Sequence, residues 1–231
     1  DQIKAAGGTV TEFLHRPDTF DGAIGYRKAL DDIDDLVNAG ALVDLYDSAC
    51  RDVEGGFGFT AGNYATAFQR WQMWRLASYY MMREMPDKSS EIGTVYFDPN
   101  FCIDYVNEEN SLKFIDEWLP AYEVDVGDPD GARDAENFAT GTVSEIESAS
   151  CNGESGTPTP IYGILSRSYD SGRVLVLVRP NSRWDCTLFG DETAVTVELP
   201  SPMRLLLGDG TFAEPANSIR LRNAEAAILF E

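Results

Sequence analysis

The stretch Gly22–Tyr46 reads GAIGYRKALDDIDDLVNAGALVDLY and joins a helix pattern to a strand pattern. Apolar residues recur at helical spacing over Gly22–Asn38, and the aspartates between them are expected to face water. Gly40 is typical of a left-handed cap that ends a helix. Ala41–Tyr46 then predicts a strand directly afterwards. The stretch therefore favours an α/β fold.

The same alternation of strand and helix extends over roughly the first 125 residues. The predicted strands are Gly7–Phe13, Ala41–Tyr46, Thr94–Phe97 and Ala121–Val126. The predicted helices are Gly22–Asn38, Asn63–Met85 and Glu109–Leu119. Alternating strands and helices argue for a parallel sheet with crossover helices.

The pattern changes after Gly127. Residues 128–160 are rich in Gly, Ser, Thr, Pro and Asp and predict a loop. Strand patterns follow at Ile161–Tyr169, Val174–Val178, Trp184–Phe189, Ala194–Leu199, Met203–Leu207, Ser218–Leu221 and Ala226–Phe230. We therefore expect two parts, βα units in residues 1–160 and an antiparallel β-domain in residues 161–231.

The net charge of −21 narrows the choice of partners and surroundings. An acidic surface repels phosphate backbones, so nucleic acid is not an expected partner. Only four of the 18 basic residues are lysine, and this composition favours a halophilic protein working in concentrated salt. An ordinary acidic secreted protein is the alternative. No apolar run reaches the roughly 20 residues that span a bilayer.

The four cysteines are widely spaced and include no C-x-x-C pair, which argues against a zinc site. Disulfides outside the cell and buried free thiols both fit this spacing. The chain has no initiator Met and no signal peptide, so it is interpreted as a processed or excised piece. The expected location is secreted or at the cell surface.

Functional side chains in parallel α/β proteins lie at the carboxyl ends of the strands. The residues at or just after those ends are Glu12, His15, Asp44, Asp47, Tyr96, Asp98, Glu123 and Asp125. Carboxylates close to aromatic surfaces suit carbohydrate, because one acid protonates the leaving oxygen while the other attacks or activates water. Trp118 and Tyr122 are candidate platforms for a sugar ring. Trp71 and Trp74, on the long helix, are better explained as core.

Other motifs carry less information. Asp125, Asp128, Asp130 and Asp134 resemble a calcium loop, but the EF-hand spacing and its closing Glu are absent. The glycines at 55, 56 and 58 form neither a dinucleotide fingerprint nor a P-loop. With a single histidine and no G-x-S-x-G, a Ser-His-Asp hydrolase is poorly supported.

Several segments together resemble glycoside hydrolase-like TIM-barrel families. They are Gly7–Glu12 before a helix, Ala41–Asp47, Tyr79–Met82 (YYMM), Trp118–Gly131 (WLPAYEVDVGDPDG), Arg167–Pro180 (RSYDSGRVLVLVRP) and Gly208–Phe230. The resemblance implies the C-terminal half of a (β/α)₈ barrel, strands five to eight, followed by a small antiparallel β-sandwich. It also implies that Glu12 lies at the end of strand five.

The function implied is hydrolysis of O-glycosidic bonds, with Glu12 as the catalytic carboxyl group and no cofactor. Asp44, Asp125, His15, Tyr96 and Trp118 are the candidate substrate-binding residues, and no metal site is expected. The Asp that such families place on strand four lies outside this sequence, so a second chain or a missing N-terminal segment would complete the barrel. The alternative is a non-catalytic carbohydrate-binding or structural interaction protein.

Overall fold

The structure is a computed structural model. It describes residues 9–10, 22–45, 64–83, 94–97, 102–106, 111–115, 119–131, 136–142, 161–180 and 194–231. Within these residues the chain forms two α-helices, one three-stranded sheet, one two-stranded sheet and one six-stranded sheet.

The first helix, α1, spans Gly22–Asn38, as the sequence predicts. Tyr26, Leu30, Ile33 and Val37 are buried along one stripe, which is the periodicity of an amphipathic helix. The predicted cap at Gly40 is confirmed: its φ is +83°, and its amide donates to the Val37 carbonyl at 2.8 Å. This geometry satisfies carbonyls that the end of a helix leaves without partners.

The second helix, α2, spans Tyr64–Met82 and lies within the predicted Asn63–Met85. From Trp71 to Met82 all but two of its side chains are buried, so the helix has no solvent-exposed face over its last three turns. It packs against the six-stranded sheet and also contacts the three-stranded sheet and α1. Neither helix in the described residues combines the length and apolar character needed to cross a membrane.

The three-stranded sheet contains β1 (Thr9–Val10), β2 (Leu42–Leu45) and β3 (Thr94–Phe97) in that order. Both neighbouring pairs are parallel. The first three predicted strands therefore do form parallel pairs in sequence order.

The prediction of half a TIM barrel is nevertheless wrong. The segment that should form the fourth parallel strand, Ala121–Val126, begins instead in a 3-10 turn over Pro120–Glu123. The predicted helix Glu109–Leu119 contains a strand, β5 (Ser111–Ile115), which pairs antiparallel with β4 (Cys102–Val106). A short apolar run fits a strand as well as a helix, and here the antiparallel pairing with β4 makes the segment a strand.

The largest element is a six-stranded antiparallel sheet. Its strands are β6 (Glu136–Thr142), β7 (Ile161–Tyr169), β8 (Val174–Arg179), β9 (Val195–Leu205), β10 (Ala216–Leu221) and β11 (Glu225–Phe230). Their order across the sheet is β10-β9-β11-β8-β7-β6. The predicted antiparallel pairing is confirmed, but the predicted β-sandwich is wrong, because the strands form one six-stranded sheet. In addition, β6 lies in the stretch 128–160 that the composition predicts to be a loop. Trp184–Phe189 lies outside the described residues.

The two strands predicted at Ala194–Leu199 and Met203–Leu207 are one continuous strand, β9. Residues 195–198 and Met203 of β9 pair with β10, and on the other side of the strand Arg204 and Leu205 pair with β11. Pro200 and Pro202 lie between Glu198 and Met203, where the register of the pairing with β10 shifts. Proline cannot donate to a sheet ladder, so the regular pairing with β10 is interrupted there.

The large sheet is buried on both faces at its central strand β8. On one face Val174, Val176 and Ile228 join a core that includes side chains of α1, α2 and Val43 of β2. On the other face Leu175 and Leu177 lie in a second cluster with residues of β9, β10 and β11. A strand buried on both sides reads as a continuous apolar run, which is what VLVLV at 174–178 shows.

Candidate functional site

Two of the predicted site residues, Asp44 and Tyr96, lie on neighbouring strands of the three-stranded sheet. Val10 of β1 is paired with Asp44 of β2, and Asp44 is paired in turn with Tyr96 of β3. Neighbouring strands lie about 4.8 Å apart, so paired positions are close in space. Because the three strands are parallel, their carboxyl ends meet at one edge of the sheet.

Three of the predicted site residues, Glu12, His15 and Trp118, lie outside the described residues. Asp47 and Asp98, the other acids predicted at strand ends, lie outside them as well. Glu12 follows Val10, the last described residue of β1, by two positions in the sequence. The register therefore locates the strand that leads to Glu12.

Asp125 does not lie on a fourth parallel strand, so its predicted place in the sheet is wrong. Its side chain is exposed, and its Oδ1 accepts a hydrogen bond from the Gly127 amide at 2.8 Å. Pro120 starts the 3-10 turn that precedes it, and Ala121 donates to the Gly208 carbonyl at 3.2 Å. The bond to Gly208 ties the start of the segment to the chain between β9 and β10, and the segment adds no strand to the three-stranded sheet.

The acidic segment after Asp125 fastens the turn between β7 and β8. The two carboxylate oxygens of Asp130 accept hydrogen bonds from the amides of Ser171 and Gly172, at 2.7 and 2.6 Å. Asp170, Ser171 and Gly172 all have positive φ, of +52°, +60° and +83°. Successive amides in such a turn form a concave anion-binding site, and here a carboxylate of the chain itself occupies it.

The same hydrogen bonds are relevant to the resemblance of this segment to a calcium-binding loop. Asp130 uses both carboxylate oxygens on backbone amides, and Asp125 uses one. Among the residues that the structure describes, no group of three or more His, Cys, Asp or Glu side chains could hold a metal ion. The segment acts as a structural clip in the described part of the chain.

The tryptophans of α2 belong to the core, as the sequence suggests. Trp71 and Trp74 are both buried, and the Trp74 ring meets the Tyr26 ring edge-on with centroids 5.6 Å apart. The Tyr26 hydroxyl donates to the Ser78 Oγ at 2.9 Å, which joins α1 to α2. Neither indole is exposed to stack on a sugar ring.

Sequence reasoning missed a polar contact inside the core, between β7 and the end of α2. Arg167, only 5% exposed, donates from Nη1 to the carbonyls of Tyr80 and Met81, at 3.2 and 2.9 Å. The Tyr169 hydroxyl also donates to the Tyr80 carbonyl. The last carbonyls of a helix lack partners within it and carry partial negative charge, so a guanidinium stabilises them.

A signal for this contact exists in the sequence. Leu165, Arg167 and Tyr169 alternate along β7, so all three face the side on which the helices lie. A polar residue at an inward position of a strand is expected to have a buried partner.

Burial also changes the acidity of the tyrosines. It raises the pKa of Tyr80 to about 12, although the nearby positive charge of Arg83 lowers it. Burial likewise raises the pKa of Tyr26 and of Tyr169, with opposing effects from the Ser78 hydrogen bond and from Arg167 respectively. All three phenols stay protonated at neutral pH, and those of Tyr26 and Tyr169 donate hydrogen bonds.

No family model, curated protein or solved structure matches this chain. The likeness to glycoside hydrolase-like families therefore rests on the short motifs quoted above and stays a prediction. The candidate site is defined by the register of the parallel strands and by the residue types found there.

Proposed function

We propose that this chain hydrolyses O-glycosidic bonds at the carboxyl edge of the three-stranded sheet. Glu12 is the general acid/base or the nucleophile. Asp44 hydrogen-bonds sugar hydroxyls or tunes the carboxyl group of Glu12, and Tyr96 lines the same edge. His15 and Trp118 are further substrate-binding candidates. Neither a barrel nor Asp125 is part of the proposal.

The observation that carries the proposal is the row of paired positions Val10, Asp44 and Tyr96 across three parallel strands. It places an acidic and an aromatic residue, residue types that are common in sugar-binding sites, at paired positions on adjacent strands near the edge where α/β proteins bind ligands. Glu12 follows the same row by two residues in sequence. A second carboxylate near the catalytic one is the basic requirement of glycoside hydrolysis.

The chemistry needs no cofactor. One carboxyl group protonates the leaving oxygen, while the other attacks the sugar or activates a water. Carboxyl groups about 5–5.5 Å apart give retention of configuration, and groups about 6.5–9.5 Å apart give inversion. The stereochemistry of the product thus reports the separation between Glu12 and its partner.

The test is the release of reducing sugar from a panel of polysaccharides in molar KCl. Glu12→Gln should lower kcat by roughly 10²–10⁴-fold, which is the contribution of a positioned acid or base. Asp44→Asn should lower kcat/KM by a smaller factor. Glu198→Gln, on an exposed position of β9, is the matched control and should leave turnover unchanged. Turnover that survives Glu12→Gln, or no turnover by the wild-type chain on any substrate, would contradict the proposal.

A second candidate is a non-catalytic carbohydrate-binding or structural interaction protein. It is favoured by the use of Asp125 and Asp130, two acids of the motif Trp118–Gly131, in holding the chain's own turns. This protein would bind polysaccharide without cleaving it, and Glu12→Gln would leave binding unchanged in isothermal titration calorimetry. A partner chain, if required, would appear as a larger mass by light scattering.

The acidic composition supports action in concentrated salt, secreted or at the cell surface. A net charge of −21 keeps the surface hydrated, and molar salt screens its self-repulsion. Turnover that rises with KCl up to molar concentration would support this setting, whereas an optimum near 0.1 M would oppose it.

A further inference from the structure

We draw no further inference here: the strongest candidate, the acidic side-chain cluster of Asp125, Asp128 and Asp130 beside the turn between β7 and β8, carries nothing, because two of its carboxylates already accept hydrogen bonds from the protein's own backbone and no second observation among the described residues points to a ligand.

Discussion

The parallel sheet and the antiparallel sheet of this protein are held together in different ways. In the described residues the strands of the parallel sheet are two to four residues long, and each is separated from its neighbour by a helix-containing segment. The antiparallel strands are six to eleven residues long, and β7 and β8 are joined by only four residues. Antiparallel neighbours can pair through a tight turn, whereas parallel neighbours need a crossover.

The two sheets have different roles: the antiparallel sheet contributes most of the packing, and the parallel sheet carries the candidate site. The antiparallel sheet is packed on both faces of β8, and the turn between β7 and β8 is held by the side chain of Asp130. The parallel sheet carries the candidate site at its edge, and its Val43 joins the core that α2 shares with β8 and β11. We therefore expect the two sheets to lose structure together when α2 is damaged, but to respond differently to salt and to acid.

The largest effect is expected from Trp74→Ala. This fully buried ring packs on Tyr26 in the core shared by both sheets, and removing a buried Trp costs about 3–5 kcal/mol. Denaturant unfolding measures the loss, and hydrogen exchange should show reduced protection at both Val43 and Val176. Gln69→Ala, on an exposed position of the same helix, should change stability by less than about 0.5 kcal/mol. Unchanged protection at Val176 would show that the sheets do not share one cooperative core.

A smaller loss is expected from Arg167→Met. The Tyr80 carbonyl keeps the Tyr169 hydroxyl as a donor, but the Met81 carbonyl loses the Arg167 guanidinium. A buried carbonyl left without a partner costs about 1–3 kcal/mol.

The matched variant is Tyr169→Phe, which leaves the Arg167 bonds in place and should cost about 0.5–1.5 kcal/mol. The double variant removes both of these side-chain donors to the Tyr80 carbonyl, so its loss should exceed the sum of the two single losses. Strict additivity would contradict a shared contact. These changes act where the antiparallel sheet holds α2, and so they measure the link between the two regions.

We expect the stability of the protein to fall when the salt concentration is lowered. Lowering KCl from about 1 M to about 0.1 M lengthens the Debye length from about 3 to about 10 Å, which strengthens repulsion among exposed acids. Asp31, Asp32 and Asp35 are exposed on α1, which contacts β2 of the parallel sheet and β7 of the antiparallel sheet. Calorimetry should show a lower Tm, with a loss of 1 kcal/mol appearing as about 2–4 °C.

The control replaces these three aspartates with asparagine, which should reduce the fall in Tm. An equal fall in the variant would place the salt dependence elsewhere on the surface. A Tm that does not fall with KCl would contradict the halophilic interpretation.

The smallest effect concerns the turn that follows β9. Hydrogen bonds from the Thr211 hydroxyl and the Thr211 amide lower the pKa of Asp209 below its usual value. A lowered pKa in the folded state gives stability that is complete above the unfolded pKa and is lost as the pH falls through the folded pKa. Asp209→Asn should therefore flatten the acid limb of the stability curve below about pH 4. Glu198→Gln serves as the exposed control, and an unchanged acid limb in Asp209→Asn would exclude the effect.

The sequence patterns succeeded where local chemistry agreed with the final packing. Gly22–Asn38 has one apolar stripe, acids between, and a glycine cap, and all three features are present in α1. Ile161–Tyr169 and Thr94–Phe97 were also predicted with the observed bounds. In the site, the same patterns placed Asp44 and Tyr96 on neighbouring parallel strands.

The patterns failed where contacts with residues distant in the sequence determined the secondary structure of a segment. Glu136–Thr142 contains Gly and Thr and no apolar alternation, yet it is a strand because β7 pairs with it. Ala121–Val126 has a strand-like pattern, but Pro120 and the bond to Gly208 hold its first residues in a turn. The predicted strand position of Asp125 is wrong for the same reason, because it depended on that segment forming a strand.

The amino-acid order by itself determined which segments are amphipathic, where α1 ends, how strongly acidic the surface is, and that the last third of the chain is made of strands. The tertiary structure was needed to show that these strands form one six-stranded sheet, that Arg167 donates hydrogen bonds to the last carbonyls of α2, and that Asp125 lies outside the three-stranded sheet. The physical reason is the distance along the sequence over which each effect acts. Periodicity and turn residues involve neighbours a few positions apart, whereas strand pairing and burial depend on partners many positions away.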